Sequence, residues 1–163
     1  MPETGVKEGL RMKKVVVPID GSDTSKGVVD YAVYYANREH DANMLFLHVI
    51  TVMEHEPVFY GEGEVVLPPS DEKVTAEFTK FIEDRMEAAG MRIPRMSVSV
   101  RSGKVYEQIV RFAEEQDADI IMIGHRGLSP MQRFFLGSVA AKVVAQAPCS
   151  VYVHRPKERR GKA

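Results

Sequence analysis

Five short apolar runs alternate with four amphipathic stretches along this chain, and that alternation limits the fold more than any other feature. The runs are residues 14–19 (KVVVPI), 44–50 (MLFLHVI), 96–100 (MSVSV), 120–123 (IIMI) and 149–153 (CSVYV). The first, second and fourth are almost continuously apolar, as strands covered on both faces require. The third and fifth alternate, with Met96, Val98 and Val100 set against Ser97 and Ser99 in the third. A strand with one wetter face belongs toward the edge of a sheet. Between the runs the apolar period becomes helical. Val28, Val29, Ala32, Val33, Tyr35 and Ala36 form a stripe after Ser22, a residue suited to an N-cap. Val74, Phe78, Phe81, Ile82, Met86 and Ala89 form the next, stopped by Gly90. Val105, Ile109, Phe112 and Ala113 form the third. Val139, Ala140, Val143, Val144 and Ala147 form the last, halted by Pro148. The pattern βαβαβαβαβ predicts an α/β domain with a mostly parallel sheet and right-handed crossovers.

Composition supports one such domain and excludes several functions. The 163 residues are 44% hydrophobic and 28% charged, enough to bury a core. A net charge of -1 argues against a protein that wraps nucleic acid. The single cysteine, Cys149, leaves no internal disulfide and no multi-cysteine zinc site, and reads as a small buried residue. No apolar run reaches the length of a membrane span, and residues 1–14 show no signal-peptide pattern, so a cytoplasmic location without membrane association is expected. Residues 1–12 read as a flexible leader, 13–154 as the domain and 155–163 as a basic tail. The stretch 53–70, rich in Pro, Gly and Glu and without a clear period, reads as a long functional or mobile loop.

In an open parallel sheet, ligands bind beyond the carboxyl ends of the strands, so the βα loops are the places to search. Residues 124–138 are the most informative. Gly124 and Gly127 are expected to adopt backbone angles closed to other residues and to admit a ligand close to the main chain. Gly137 and Ser138 fall where the last helix begins, and unpaired amides there make an anion site. Arg126 and Arg133 add positive charge. Two readings stay open: the glycines only close turns, or the loop cradles phosphate. Asp20, after the first strand, likewise either forms an Asx turn or meets a ligand.

These residues resemble the universal stress protein family. The shared features are Gly-x2-Gly-x9-Gly-Ser at Gly124, Gly127, Gly137 and Ser138, and Pro-x-Asp at Pro18 and Asp20. The LHV of the second strand, the Ser-Gly before the third helix and the strand Ala-Asp-Ile-Ile-Met-Ile-Gly are similar too. The likeness runs from about Lys13 to Val153. It implies a three-layer, Rossmann-like five-stranded sheet in the order 3-2-1-4-5 and a homodimer paired through the last strand. It also implies ATP, or ADP or AMP, bound at the ends of strands one and four. Pro18, Asp20 and Val49 would line the nucleoside, with Met122, Ile123 and Gly124 beside the base and ribose. Gly127, Gly137, Ser138 and Val139 would hold the phosphates, with any magnesium bound mainly by phosphate and water.

The remaining candidates point away from catalysis. No GxxxxGK[ST] loop and no catalytic dyad or triad occurs, so at most a weak ATPase is expected; with the resemblance, the expected role is a nucleotide-dependent stress-response switch. Five histidines show no metal spacing; His48 reads as a hydrogen-bonded core residue. His125 is either an exposed loop residue, a phosphate contact or a proton shuttle. The last strand also carries no lysine or bulge to guard its edge, which independently favours pairing with a second copy. The competing reading is a dimeric scaffold that recruits an unidentified protein partner and binds no nucleotide.

Overall fold

The computed structural model describes residues 12–51, 58–60, 64–66, 70–127 and 136–157. The leader up to residue 11, much of 53–70 including His55, Arg133 and the tail beyond 157 lie outside the described residues. In chain order the elements are β1 (Lys14–Pro18), α1 (Asp23–Arg38), β2 (Asn43–Ile50), β3 (Val58–Tyr60) and β4 (Glu64–Val66). They continue with α2 (Asp71–Ala89), β5 (Met96–Ser102), α3 (Val105–Glu115), β6 (Ile120–Gly124), α4 (Ser138–Gln146) and β7 (Ser150–His154).

Five strands form one parallel sheet in the order β5-β2-β1-β6-β7, which is 3-2-1-4-5 when only these strands are numbered. The two alternating runs, β5 and β7, are its edges, and the near-continuous apolar runs are its centre. Side chains that alternate along each strand feed two cores. Val15, Val17, Met44, Phe46, Ile120 and Met122 face α1 and α2, where Val28, Val29, Ala32, Val33 and Ile82 meet them. Val16, Leu45, Leu47, Val49, Ile121 and Ile123 face α3 and α4, against Ile109, Phe112, Ala113, Ala140 and Val143.

Local chemistry sets the element ends. The Ser22 hydroxyl accepts the Ser25 amide at 3.1 Å and opens α1. Gly90 takes the left-handed conformation, φ 64°, and closes α2. Within 53–70 the structure adds a short antiparallel hairpin, β3 with β4, that the sequence pattern does not reveal. Strands of three residues are too short to show a period of two.

The decisive feature is where β1 and β6 stop pairing. β1 pairs β2 along its whole length, from Lys14↔Asn43 to Pro18↔Leu47, but pairs β6 only at Val15↔Ile120 and Val16↔Ile121. Backbone groups along a strand point alternately to its two neighbours. The Ile19 amide donates to Leu47 on the β2 side at 2.9 Å, so residue 18 faces β6. Residue 18 is proline and has no N–H to give. The ladder therefore ends there, and the sheet opens at the point where its winding reverses.

Candidate functional site

A cavity of about 300 Å³ lies in that opening, at the carboxyl ends of β1, β2 and β6 and against the first turns of α3 and α4. Pro18, Asp20, Val49, Ile123, Gly124, Gly127, Gly137, Ser138 and Val139 all line it. Met122 does not. One residue before Ile123 on the strand, its side chain points to the opposite face and packs in the α1–α2 core. The run IIMI shows burial on both faces but not which face the ligand side is.

The β1–α1 turn shapes one wall. Asp20 Oδ1 accepts the Ser22 amide at 3.0 Å, an Asx turn, and the Asp20 amide donates to Ser25 Oγ at 2.9 Å. The other oxygen, Oδ2, faces Gly127: a Cβ built on Gly127 would stand 2.9 Å from it. Asp20 thus forms the Asx turn and also sits at the cavity, so the two sequence readings of this residue are not exclusive.

The glycines of the β6–α4 connection serve space and not backbone angle, which corrects the expectation for Gly124 and Gly127. Positive φ among the described glycines occurs at Gly21, Gly90 and Gly103. A Cβ at Gly124 would stand 2.5 Å from Thr24 Cγ2, and one at Gly137 would stand 3.1 Å from the His125 carbonyl oxygen and 3.3 Å from Arg126 Cα. Close packing of the connection against α1 and against its own return demands these residues.

α4 starts at the cavity rim. Gly137 is its N-cap, with no side-chain cap bond, and the Gly137 amide donates to the His125 carbonyl at 2.7 Å. That amide is therefore committed within the loop. The next three amides, of Ser138, Val139 and Ala140, have no intrahelical acceptor, as in every α-helix, and all three residues line the cavity. Together with the positive end of the helix dipole they make an anion-binding surface.

Two neighbouring side chains complete it. Arg126 lines the cavity, and its buried Nε has no hydrogen-bond partner among the described residues. His125 is 9% exposed, which corrects its reading as an exposed loop residue, and it is not part of the cavity wall. Burial first, and then the Arg126 guanidinium, holds its imidazole below the ordinary value. The ring is thus buried and lies outside the described wall of the cavity.

Sequence reasoning left out several lining residues. Leu47, Val105 and Ile109 give an apolar floor, and their helical and strand positions had marked them simply as core. His48 Nδ1 lies 2.9 Å from the Ile19 carbonyl, which can only accept, so Nδ1 carries the proton and Nε2 is left as an acceptor in the neutral ring. The ring stacks on Phe78 at 4.1 Å, and the residue is half-buried at the cavity edge. Cys149 is half-buried against the α3–α4 core, and burial pushes its thiol up, away from nucleophilic reactivity. Among the described residues no group of three or more His, Cys, Asp or Glu is placed to hold a metal ion. No described helix is long and apolar enough to cross a membrane.

An open parallel α/β domain, with its cavity at the switch point between the two halves of the sheet, is the class that fold and site define. The universal stress protein family model matches residues 12–155, and the chain belongs to that family. A universal stress protein of Methanocaldococcus jannaschii is 32% identical over 148 residues, spanning 90% of this chain and 84% of its own. One from Thermus aquaticus is 33% identical over 144 residues, spanning 88% and 98%. Among solved structures, a universal stress protein in complex with cAMP aligns with a TM-score of 0.63 at 25% identity, covering 88% of this chain and 97% of that one.

Proposed function

We propose that this chain binds an adenine nucleotide, ATP or its ADP and AMP products, in the cavity between β1 and β6. The phosphates would lie on the Ser138, Val139 and Ala140 amides and the Ser138 hydroxyl. Base and ribose would lie between Pro18, Val49 and Ile123, with Asp20 at the edge. The observation that carries this reading is the coincidence of three features. The β1–β6 ladder ends at a proline, α4 aims its first-turn amides into the gap, and Arg126 buries an unpartnered donor there. The family member in complex with cAMP supports the choice of an adenylate.

The reading extends to a regulatory role with slow or no turnover. Asp20 is the one carboxylate among the described lining residues, and one of its oxygens already accepts the Ser22 amide. It is poorly placed to orient a water for attack, and it offers a magnesium ion little. The ion would be held chiefly by phosphate and water. Nucleotide occupancy would then switch a homodimer paired through β7, whose outer edge carries no neighbouring strand among the described residues. Mass spectrometry of the denatured, purified protein and calorimetry with ATP, ADP and AMP test the binding. A co-purified or titratable adenylate is expected. No heat with any adenylate would sink the reading and favour a scaffold that recruits a protein partner.

A further inference from the structure

Charge is scarce in this cavity. Among the described residues, the ionised side chains that line it are Asp20 and Arg126. Asp20 keeps one oxygen on the Ser22 amide and turns the other toward Gly127. Arg126 is its opposite. Its Nε is buried without a hydrogen-bond partner among the described residues, although a guanidinium offers only donors and is always charged. Its Cα lies 3.3 Å from where a Gly137 Cβ would stand, so the side chain leaves the main chain beside the first turn of α4. A buried guanidinium donor next to unpaired helix amides calls for an anion, and leaving such a donor unmatched is costly.

We propose that Arg126 is the residue through which this site discriminates by phosphate number, favouring nucleoside di- and triphosphates over monophosphates and free nucleosides. The inference rests on the nucleotide reading and assigns its charge selectivity to a residue outside the glycine-serine pattern. The helix amides bring only about half an elementary charge, and they stay in place whatever the ligand. Asp20 repels every phosphate. Arg126 is the described lining group with a full positive charge, so its attraction grows most steeply with each phosphate added, and its planar fork can hold two oxygens at once. The nearby His125 adds no competing cation near neutral pH. It lies outside the wall, and burial first, then the Arg126 guanidinium, disfavours its protonation.

The test is a calorimetric series with adenosine, AMP, ADP and ATP at fixed ionic strength, on the wild type, Arg126→Gln and Arg126→Lys. Removal of the guanidinium should weaken ATP by about tenfold or more, AMP by less and adenosine least, as loss of a charge-assisted bond implies. Lysine should restore part of the ATP affinity, because it keeps the charge and loses the fork. On the wild type alone, rising salt should weaken ATP and leave adenosine nearly constant, a check that needs no variant to fold. Equal weakening of all four ligands in Arg126→Gln would show a merely structural role, and an unchanged ATP to AMP ratio would also overturn the proposal. If wild-type protein takes up ATP and AMP equally at every salt concentration, Arg126 has no such role while the nucleotide reading survives. Uptake of none of the four overturns both.

Discussion

Substituting Gly127 by alanine isolates the contact between the two loops that flank the cavity. The new methyl would stand 2.9 Å from Asp20 Oδ2, closer than carbon and oxygen tolerate. Gly127 does not occupy the positive-φ region, so alanine brings no backbone strain of its own. The contact falls on the far end of the Asp20 side chain, and turning that carboxylate away strains the bond from the Ser22 amide that Oδ1 accepts at 3.0 Å. A hydrogen bond to a charged group is worth about 1.5–3 kcal/mol, and this part-buried one falls toward the lower end, about 1.5 kcal/mol. Against an Asp20→Ala background the same methyl meets nothing at that point, and its cost should fall to about zero. A double-mutant cycle should therefore return a coupling of about 1–1.5 kcal/mol. Because the chain has no tryptophan, urea unfolding is best followed by far-UV circular dichroism. Equal costs of Gly127→Ala in both backgrounds would refute the steric reasoning and detach Asp20 from the β6–α4 connection.

Other outcomes follow from the same geometry. Ser22→Ala should lower stability by about 1 kcal/mol, as loss of an N-cap does, and Ser70→Ala by less, because its bond to the Lys73 amide is a longer 3.3 Å; chemical denaturation checks both. His125 and His154 are held below the ordinary histidine value of 6.5, chiefly by burial. The unfolded chain then binds protons first as pH falls, so stability should be full above about pH 6.5 and decline below it, and replacing both by Asn should flatten that slope in urea titrations. Gly137→Ala should destabilise the protein even without ligand, because its neighbours at 3.1 and 3.3 Å are backbone and cannot rotate away; thermal melts of the apo protein read this. Light scattering should return a dimer. Since the His154 carbonyl accepts from the His125 amide on the β6 side, the outward amides of β7 belong to Val151 and Val153. Val153→Pro should then yield a monomer with an unchanged β6–β7 ladder, and a dimer surviving it would place the interface elsewhere.

Most of the architecture was legible because apolar periodicity reports burial directly. The continuous run at 14–19 marks a central strand and the alternating run at 96–100 an edge strand, and both fall there. Strand order was a different matter: nothing in the residues alone orders parallel strands, and it came from the family resemblance. The cavity was partly legible, since Gly137 and Ser138 mark a helix start, whereas the break that Pro18 makes in the β1–β6 ladder emerged only from the strand pairing. The side-chain direction of Met122 was not legible, because a strand buried on both faces gives no sign of which side a residue takes. The glycines were read for backbone freedom, whereas contacts 2.5–3.1 Å away across the fold require them. Such contacts come from residues far apart in sequence, as with Asp20 and Gly127, and no local pattern announces them. His125 was read as exposed because loops usually are; its amide bond to the His154 carbonyl extends the sheet by one residue and carries the ring inward.

Titration of ¹⁵N-labelled protein with ATP, followed amide by amide, tests the central claim most directly. The account predicts saturable shifts largest at Ser138, Val139 and Ala140, with Asp20 and Gly127 responding and β5 silent. Shifts confined to surfaces remote from α4, or a spectrum indifferent to ATP at millimolar concentration, would contradict it.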